Sequence, residues 1–364
     1  MERFRAALEA RLPDALLEEL GELEFRFERP PDISSRTVWL GRAYQEFCKN
    51  PESVEEILSR WLSNVTAPNE ERVNPDHIIP VVKDWRWRTD NEAANPDGGF
   101  DPWTEPYNSE LIVVFAQRHN GLWFPHRSDF LKLGVPLDEL RERAFANLRN
   151  VLEIQSIRGR EGEYLLGAGG TIDANLLLLE ESTQDPRIQL AGEPLVAVSD
   201  RDSFWIADDA NPFAVFGVAL RVAHCYRSEP YPISKQLFHR VEGVWQPVDP
   251  VPEDAGHPIP KLDVIDICGE KRDGGVDFVV IVASPIGADA RSIFRLASKL
   301  DGHLCEIESS NWKQQHPKAS AATTHIIVNL HPDSDPVIAK VLDANATWVE
   351  SRGARLIVED LEIG

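Results

Sequence analysis

The sequence lacks the long hydrophobic runs and the excess of basic residues that mark membrane and nucleic-acid-binding proteins. No apolar run reaches the length of about 18 residues that a spanning helix needs. Lysine and arginine number 38 against 60 aspartate and glutamate, a formal net charge of −22. Such a surface repels phosphate backbones and anionic lipids, so we expect no nucleic-acid or membrane partner. A protein partner of basic character fits the charge, although acidity also serves solubility alone.

Cysteine is scarce, and its spacing excludes a disulfide framework or a zinc motif. The four cysteines lie far apart with no Cys-x-x-Cys pair. Residues 1–8 predict a charged amphipathic helix rather than a signal peptide. We therefore expect reduced thiols and a cytoplasmic location.

Known catalytic motifs are also missing. The glycine-rich stretch 167–170 has neither the lysine of a phosphate-binding loop nor the frame of a dinucleotide site, so a tight turn is expected. No nucleophile elbow, zinc-protease helix or calcium loop occurs, and the ten histidines are scattered. The sequence thus predicts no cofactor and no metal site.

Prolines suggest where the chain divides. Residues 247–261 contain five prolines among acids and glycine, a composition typical of a stiff linker. We expect an N-terminal module over 1–246, whose first 65 residues form an extension of helix and strand. A second domain is expected over 262–364.

The fold class predicted for the first module is α+β with an antiparallel sheet. Residues 110–124 and 193–206 both read as a strand, a polar turn and a return strand. Each pair precedes a helical pattern, at 137–152 and at 213–226. A duplicated ββα unit would lay both helices on one sheet.

A ferredoxin-like α/β sandwich with one extra leading strand is predicted for the second domain. Strand patterns occur at 264–268, 276–283, 303–308, 324–330 and 355–358. Helices are expected at 288–300 and from Ser334 or Asp335 to Gly353. The order β-βαββαβ contains the split βαβ arrangement.

Four charged residues near the second hairpin form the candidate catalytic site: Asp200, Arg201, Asp202 and Asp208. Carboxylates held close together could act as a general acid–base pair or coordinate Mg²⁺. Aspartate is equally an ordinary turn residue that hydrogen-bonds its own backbone. The sequence favours this structural role.

The segment 88–107 is predicted to be a long loop with three aromatic residues. Phe100, Trp103 and Tyr107 are candidates for docking on a partner. The alternative, which we favour, is that they fix the loop to its own domain.

Several short motifs give the chain a resemblance to a known family. They are IPVV at 79–82, NSEL at 108–111, a helical pattern at 138–148, LVAVSDRD at 195–202 and PIS at 232–234. In this order they resemble the YtpQ-like family of bacterial proteins, over roughly residues 75–248. Family members often carry proline at the position of Asp200 and lack so long a loop at 88–107. The family is uncharacterised, so the resemblance supplies no catalytic residues.

The stretch DVID at 263–266, the stretch IES at 307–309 and the helical pattern that ends at Gly353 give the second domain a resemblance of its own. It resembles a small domain of unknown function from bacterial gene clusters, including clusters of the toxin–immunity kind. Together with the missing catalytic motifs and the acidic surface, this resemblance favours a non-enzymatic protein-binding protein, for example an immunity or antitoxin-like neutraliser of a basic toxin. Two alternatives stay open. One is a hydrolase with an unfamiliar acidic site at Asp200–Asp209, and the other is a scaffold or regulator that self-associates through a sheet edge.

Overall fold

The structure is a computed structural model in which the chain forms two compact units. It describes residues 2–11, 16–21, 24–29, 32–39, 43–44, 47–48, 51–59, 73–94, 100–118, 121–169, 171–229, 231–251, 253–272 and 274–361. The first unit comprises Met1–Ile79, Asp101–Trp103 and Phe115–Asn147. The second comprises Pro80–Phe100, Thr104–Val114 and Leu148–Gly364.

The fold is mixed α/β with antiparallel sheets. The described helices include α1 (Glu2–Arg11), α2 (Trp85–Ala94), α3 (Arg127–Leu131), α4 (Leu137–Val151), α5 (Pro212–Ser228), α6 (Ala290–Glu308), α7 (Ser310–Gln315) and α8 (Val337–Ser351). None of these described helices is long and apolar enough to cross a membrane.

Two smaller sheets lie in the N-terminal half of the chain. The first is antiparallel with order β1-β2-β3: β1 (Leu16–Gly21), β2 (Glu24–Arg29) and β3 (Asp32–Trp39). The second has order β4-β6-β5, with β7 paired to β6: β4 (Ile78–Asp84), β5 (Thr104–Pro106), β6 (Leu111–Arg118) and β7 (Leu122–Trp123).

A six-stranded antiparallel sheet forms the centre of the second unit, with order β13-β12-β10-β11-β9-β8. Its strands are β8 (Ser156–Arg160), β9 (Glu163–Gly167), β10 (Pro194–Ala197), β11 (Phe204–Asp208), β12 (Phe238–Val241) and β13 (Val244–Pro247). Helix α5 packs on it with a largely apolar surface. The Asn211 side chain caps this helix by accepting from the backbone N–H of Phe213, and Pro212 suits the first turn.

The duplicated unit predicted on one sheet is not confirmed. Both strand pairs and the helices that follow them exist, as β6–β7 with α4 and β10–β11 with α5. However, the two pairs belong to different sheets. Local patterns of strand and helix do not specify which strands pair over long sequence distances.

The ferredoxin-like arrangement is not confirmed either. The C-terminal sheet has order β14-β15-β16-β17, formed by β14 (Ile267–Glu270), β15 (Val276–Val282), β16 (Thr324–Leu330) and β17 (Arg355–Asp360). The last three strands are parallel and only β14 is antiparallel to its neighbour. The strand predicted at 303–308 is instead the end of α6, because Leu304 and Ile307 continue the helical spacing of the buried Leu300.

The proline-rich segment 247–261 lies within the second unit rather than between the units. One hydrophobic core takes side chains from both sides of it, including Phe216 of α5 and Phe294 of α6. The segment itself is attached to α6 by ion pairs, and Asp249 and Arg295 are both fully buried. Whether residues 262–364 fold independently stays a prediction.

Candidate functional site

Asp200, the first of the predicted catalytic residues, shapes the turn that joins β10 to β11. Its carboxylate accepts hydrogen bonds from the hydroxyls of Ser199 and Ser203, both at 2.8 Å, and from the backbone N–H of Asp202 at 2.9 Å. The residue is only 5% exposed. The carboxylate of Asp200 therefore accepts its hydrogen bonds from residues of the same turn. This is the structural role that favours aspartate in turns.

Asp208 has a similar role at the far end of β11. Its carboxylate accepts the backbone N–H groups of Ala191 at 2.7 Å, Gly192 at 2.9 Å and Ala210 at 3.0 Å. It is 4% exposed, and it fixes the loop before β10 to the turn after β11. Asp200 and Asp208 occupy opposite ends of this strand, so they do not share one site.

Arg201 and Asp202 project from the turn that Asp200 stabilises. The Arg201 Nε donates to Asp202 Oδ1 at 2.9 Å, and the guanidinium carbon lies 4.3 Å from the ring centroid of Tyr231. Both charged side chains are largely buried. The ion pair and the aromatic face hold the arginine in one orientation.

A buried lysine that sequence reasoning missed lies close to this pair. Lys83, in β4, is 7% exposed, and burial together with the charge of Arg201 lowers its pKa to about 8. The neighbouring carboxylates of Asp84 and Asp202 oppose this shift. A single lysine that ends the apolar run 78–82 was the available signal.

A short 3₁₀ helix, Asp173–Leu178, connects the strand of Lys83 to the turn of Arg201. Asn175 Oδ1 accepts from the backbone N–H of Val82 at 2.9 Å. The backbone N–H of Ala174 donates to the carbonyl of Arg201 at 3.1 Å. The sequence therefore brings a lysine, an arginine and two carboxylates together from segments more than 100 residues apart.

This group, Lys83, Asp84, Arg201 and Asp202, is the best candidate functional site in the described part of the chain. An amine with a pKa near 8 is partly neutral at physiological pH, so it can accept a proton. Two cations with two carboxylates can also orient a polar ligand. No cluster of three or more possible metal ligands occurs among the described residues.

The three aromatic candidates belong to different compact units of the chain. Trp103 is buried and stacks on Phe115, with ring centroids 3.7 Å apart, and it also contacts Phe130 edge-on. Phe100 meets the edge of Trp87. The segment 88–107, predicted as a loop, instead includes the greater part of α2 and the strand β5.

Tyr107 is half-buried, and burial raises the pKa of its hydroxyl. The docking of these three aromatic residues on a partner stays a prediction.

A cavity of about 390 Å³ lies between α5 and α8. Arg221 and Trp348 line it, and Arg221 pairs with Glu163 at 2.7 Å. Gly217 leaves room for this pair, because a Cβ there would lie 2.9 Å from the arginine. The volume is in the range of small-molecule sites.

Comparison with known proteins gives distant bacterial relatives. No family model and no solved structure matches the chain. A UPF0354 protein of Bacillus cereus is 24% identical over 201 residues, which is 54% of this chain and 72% of that protein. A UPF0354 protein of Bacillus cytotoxicus is 24% identical over 204 residues, or 55% and 73%. The chain is thus similar to an uncharacterised family of bacterial proteins.

Proposed function

We propose that this chain is a non-enzymatic protein-binding protein that recognises a basic partner in the cytoplasm, in the manner of an immunity or antitoxin protein. The observation that carries the proposal is the hydrogen bonding of Asp200 and Asp208. Their carboxylates accept hydrogen bonds from N–H and hydroxyl groups of the adjoining loops. These acids therefore build the structure instead of presenting free carboxylates to a substrate.

The charge of the chain supports the same function. A net charge of −22 accelerates the encounter with a cationic protein and makes that encounter sensitive to salt. The resemblance of residues 262–364 to a domain from toxin–immunity clusters points to the same class of partner.

Co-expression with the products of adjacent genes tests this proposal. The tagged chain is purified with each product in turn, at low salt and again in high salt. We expect one basic product to co-purify at low salt and to be released at high salt, because screening weakens attraction between exposed charges. Absence of a complex with every adjacent product at low salt would contradict the proposal.

Lys83 favours a second candidate, an enzyme that uses its amine as a general base or nucleophile. Labelling with cyanate at a series of pH values, followed by peptide mass spectrometry, tests it. An accessible Lys83 reacts with a midpoint near pH 8, well below the value of about 10.4 for an ordinary lysine. If Lys83 is labelled only after unfolding, no substrate can reach the amine and this candidate is wrong.

A further inference from the structure

The C-terminal sheet, β14 to β17, has one buried face and one partly exposed face. Val276, Phe278, Val280 and Val282 of β15 are buried in the same core as α6 and α8. The alternate residues of β15 and β16 point to the opposite face, and each of them keeps partial exposure. Parallel strands are usually covered on both faces. We call this opposite surface the open face.

An aliphatic row crosses the open face in register. Ile267 of β14 lies opposite Val279 of β15. Val279 lies opposite Ile327 of β16, and Ile327 lies opposite Ile357 of β17. Ile267 is 50% exposed, and the other three are partly exposed. A contiguous apolar row with polar rims is typical of a protein–protein contact surface.

Polar residues border the aliphatic row on one side, and two polar residues with one isoleucine border it on the other. On one side, Asp277, His325 and Arg355 occupy neighbouring register positions on β15, β16 and β17. On the other side, each strand contributes the residue that lies two positions after its member of the aliphatic row. These residues are Ile281, Asn329 and Glu359. Arg355 and Glu359 therefore flank Ile357 symmetrically along β17.

The charges of this face favour a second copy of the chain over a basic protein. Lys271 and Arg355 balance Asp277 and Glu359, so the face is neutral on a chain of net charge −22. A cationic partner would gain nothing from a neutral surface. Two copies can approach through it without bringing their acidic surfaces directly together.

Arg355 and Glu359 are the charged groups of the open face that stay available. Asp277 is held by Lys271 at 2.9 Å and by His325 at 3.0 Å. In the described part of the chain, neither Arg355 nor Glu359 makes an ion pair or a side-chain hydrogen bond, and both are exposed. A partner that covers the open face can therefore form ion pairs with Arg355 and Glu359.

We propose that two copies of this chain pack their open faces together about a two-fold axis that runs along the aliphatic row. This axis places each row against its counterpart at the spacing of about 10 Å that is usual for packed sheets. It also places Arg355 of each copy over Glu359 of the other, which forms two equivalent ion pairs. The same patch is used by both copies, as a two-fold interface requires. This dimer does not depend on the basic partner proposed above.

Sedimentation velocity of the full chain tests the dimer over about a hundredfold range of concentration. We expect a dimer in the unaltered protein. Ile327→Lys should weaken dimerisation at least about tenfold, because it buries an unpaired charge at the centre of the row. Leu131→Lys is the matched control, since Leu131 is 58% exposed in the other unit and should leave dimerisation unchanged.

A charge exchange tests the arrangement of the two copies. Arg355→Glu places like charges opposite each other and should weaken dimerisation at least about tenfold. Adding Glu359→Arg restores complementarity, so the double variant should dimerise within about threefold of the unaltered protein. Circular dichroism and thermal unfolding verify that each variant is folded.

Three results would overturn this inference. The first is a monomer at every concentration, which would leave the open face to a different protein. The second is a dimer that Ile327→Lys does not weaken. The third is failure of the Arg355→Glu, Glu359→Arg double variant to recover dimerisation.

Discussion

Asp249 and Arg295 form an ion pair in which both side chains are fully buried. Asp249 also accepts from Arg291 Nε at 2.9 Å, one helical turn earlier on α6. One further turn along, Lys299 donates to Asp266 at 2.7 Å. Basic residues at intervals of four therefore attach the segment after β13 to one side of α6.

Asp249→Asn should be among the most destabilising single substitutions in this region. It leaves the buried guanidinium of Arg295 without its counter-charge, which costs about 3–5 kcal/mol in comparable buried pairs. Urea unfolding at neutral pH measures the loss of free energy.

Asp254→Asn is the matched control for that substitution. Asp254 pairs with the same helix through Arg291 at 2.7 Å, but its side chain is 29% exposed whereas that of Asp249 is fully buried, so its loss should be much smaller. Equal effects of the two substitutions would show that the segment is not held by the buried pair.

Lys83→Met should stabilise the protein at pH 7. Burial lowers the pKa of Lys83 from 10.5 to about 8, so the charged amine costs about 3 kcal/mol in the folded state. Above the folded pKa the folded lysine loses its proton first, so the stability of the unaltered protein should rise between about pH 8 and 10.5.

The advantage of Lys83→Met should accordingly shrink as pH rises from 7 to 10. Urea unfolding at both pH values measures it. If the gain in unfolding free energy from Lys83→Met does not change with pH, burial does not destabilise the charged form of the amine.

His303 should make the protein less stable as pH falls below about 6.5. Its Nδ1–H donates to the carbonyl of Lys299 at 2.8 Å, and burial is the main cause that lowers its pKa. Below this pH the unfolded chain binds a proton at His303 more readily than the folded chain does. The free energy of unfolding therefore falls by up to about 1.4 kcal/mol per pH unit.

The measurement compares unfolding free energies at pH 7 and pH 5.5 in His303→Gln and in the unaltered protein. We expect a smaller loss in the variant. His239→Gln, at an exposed position on β12, should behave like the unaltered protein. An identical acid sensitivity in all three proteins would assign the effect to other groups, among them His224 and His257, whose pKa values burial also lowers.

Gly353→Ala should destabilise the end of α8. Gly353 has a φ of +100°, in the region that residues with a Cβ adopt only at a cost of about 1–2 kcal/mol. Gly269→Ala is the control, because its φ is not positive and a Cβ there meets no atom within 4 Å. Thermal unfolding should separate the two variants, and equal melting temperatures would contradict the assignment.

Local patterns in the sequence predicted α8 well. Ile338, Val341, Leu342 and Val349 form the buried face that their helical spacing indicates, and Asp335 accepts the first free N–H of the helix. Long-range organisation was not predictable in the same way. Asp249, Asp254 and Asp266 pair with basic residues of α6. These partners lie more than 30 residues further along the chain, so the composition of the segment by itself indicated a linker.

The candidate site shows the same limit. The turn at Asp200 was predicted as structural from local residues alone, and its hydrogen bonds agree with that interpretation. Lys83 was missed because its environment comes from Arg201 and Asp202, far along the chain. A lysine in an apolar strand is informative only when the residues around it are known.

The most direct test of the central claim is the association rate with a purified basic partner at low and at high ionic strength. Protein binding steered by a charge of −22 predicts that the rate constant falls at least about tenfold between 0.05 and 0.5 M salt, with the dissociation rate changing much less. An association rate that is unchanged by salt would contradict the claim that this acidic chain acts by binding a cationic protein.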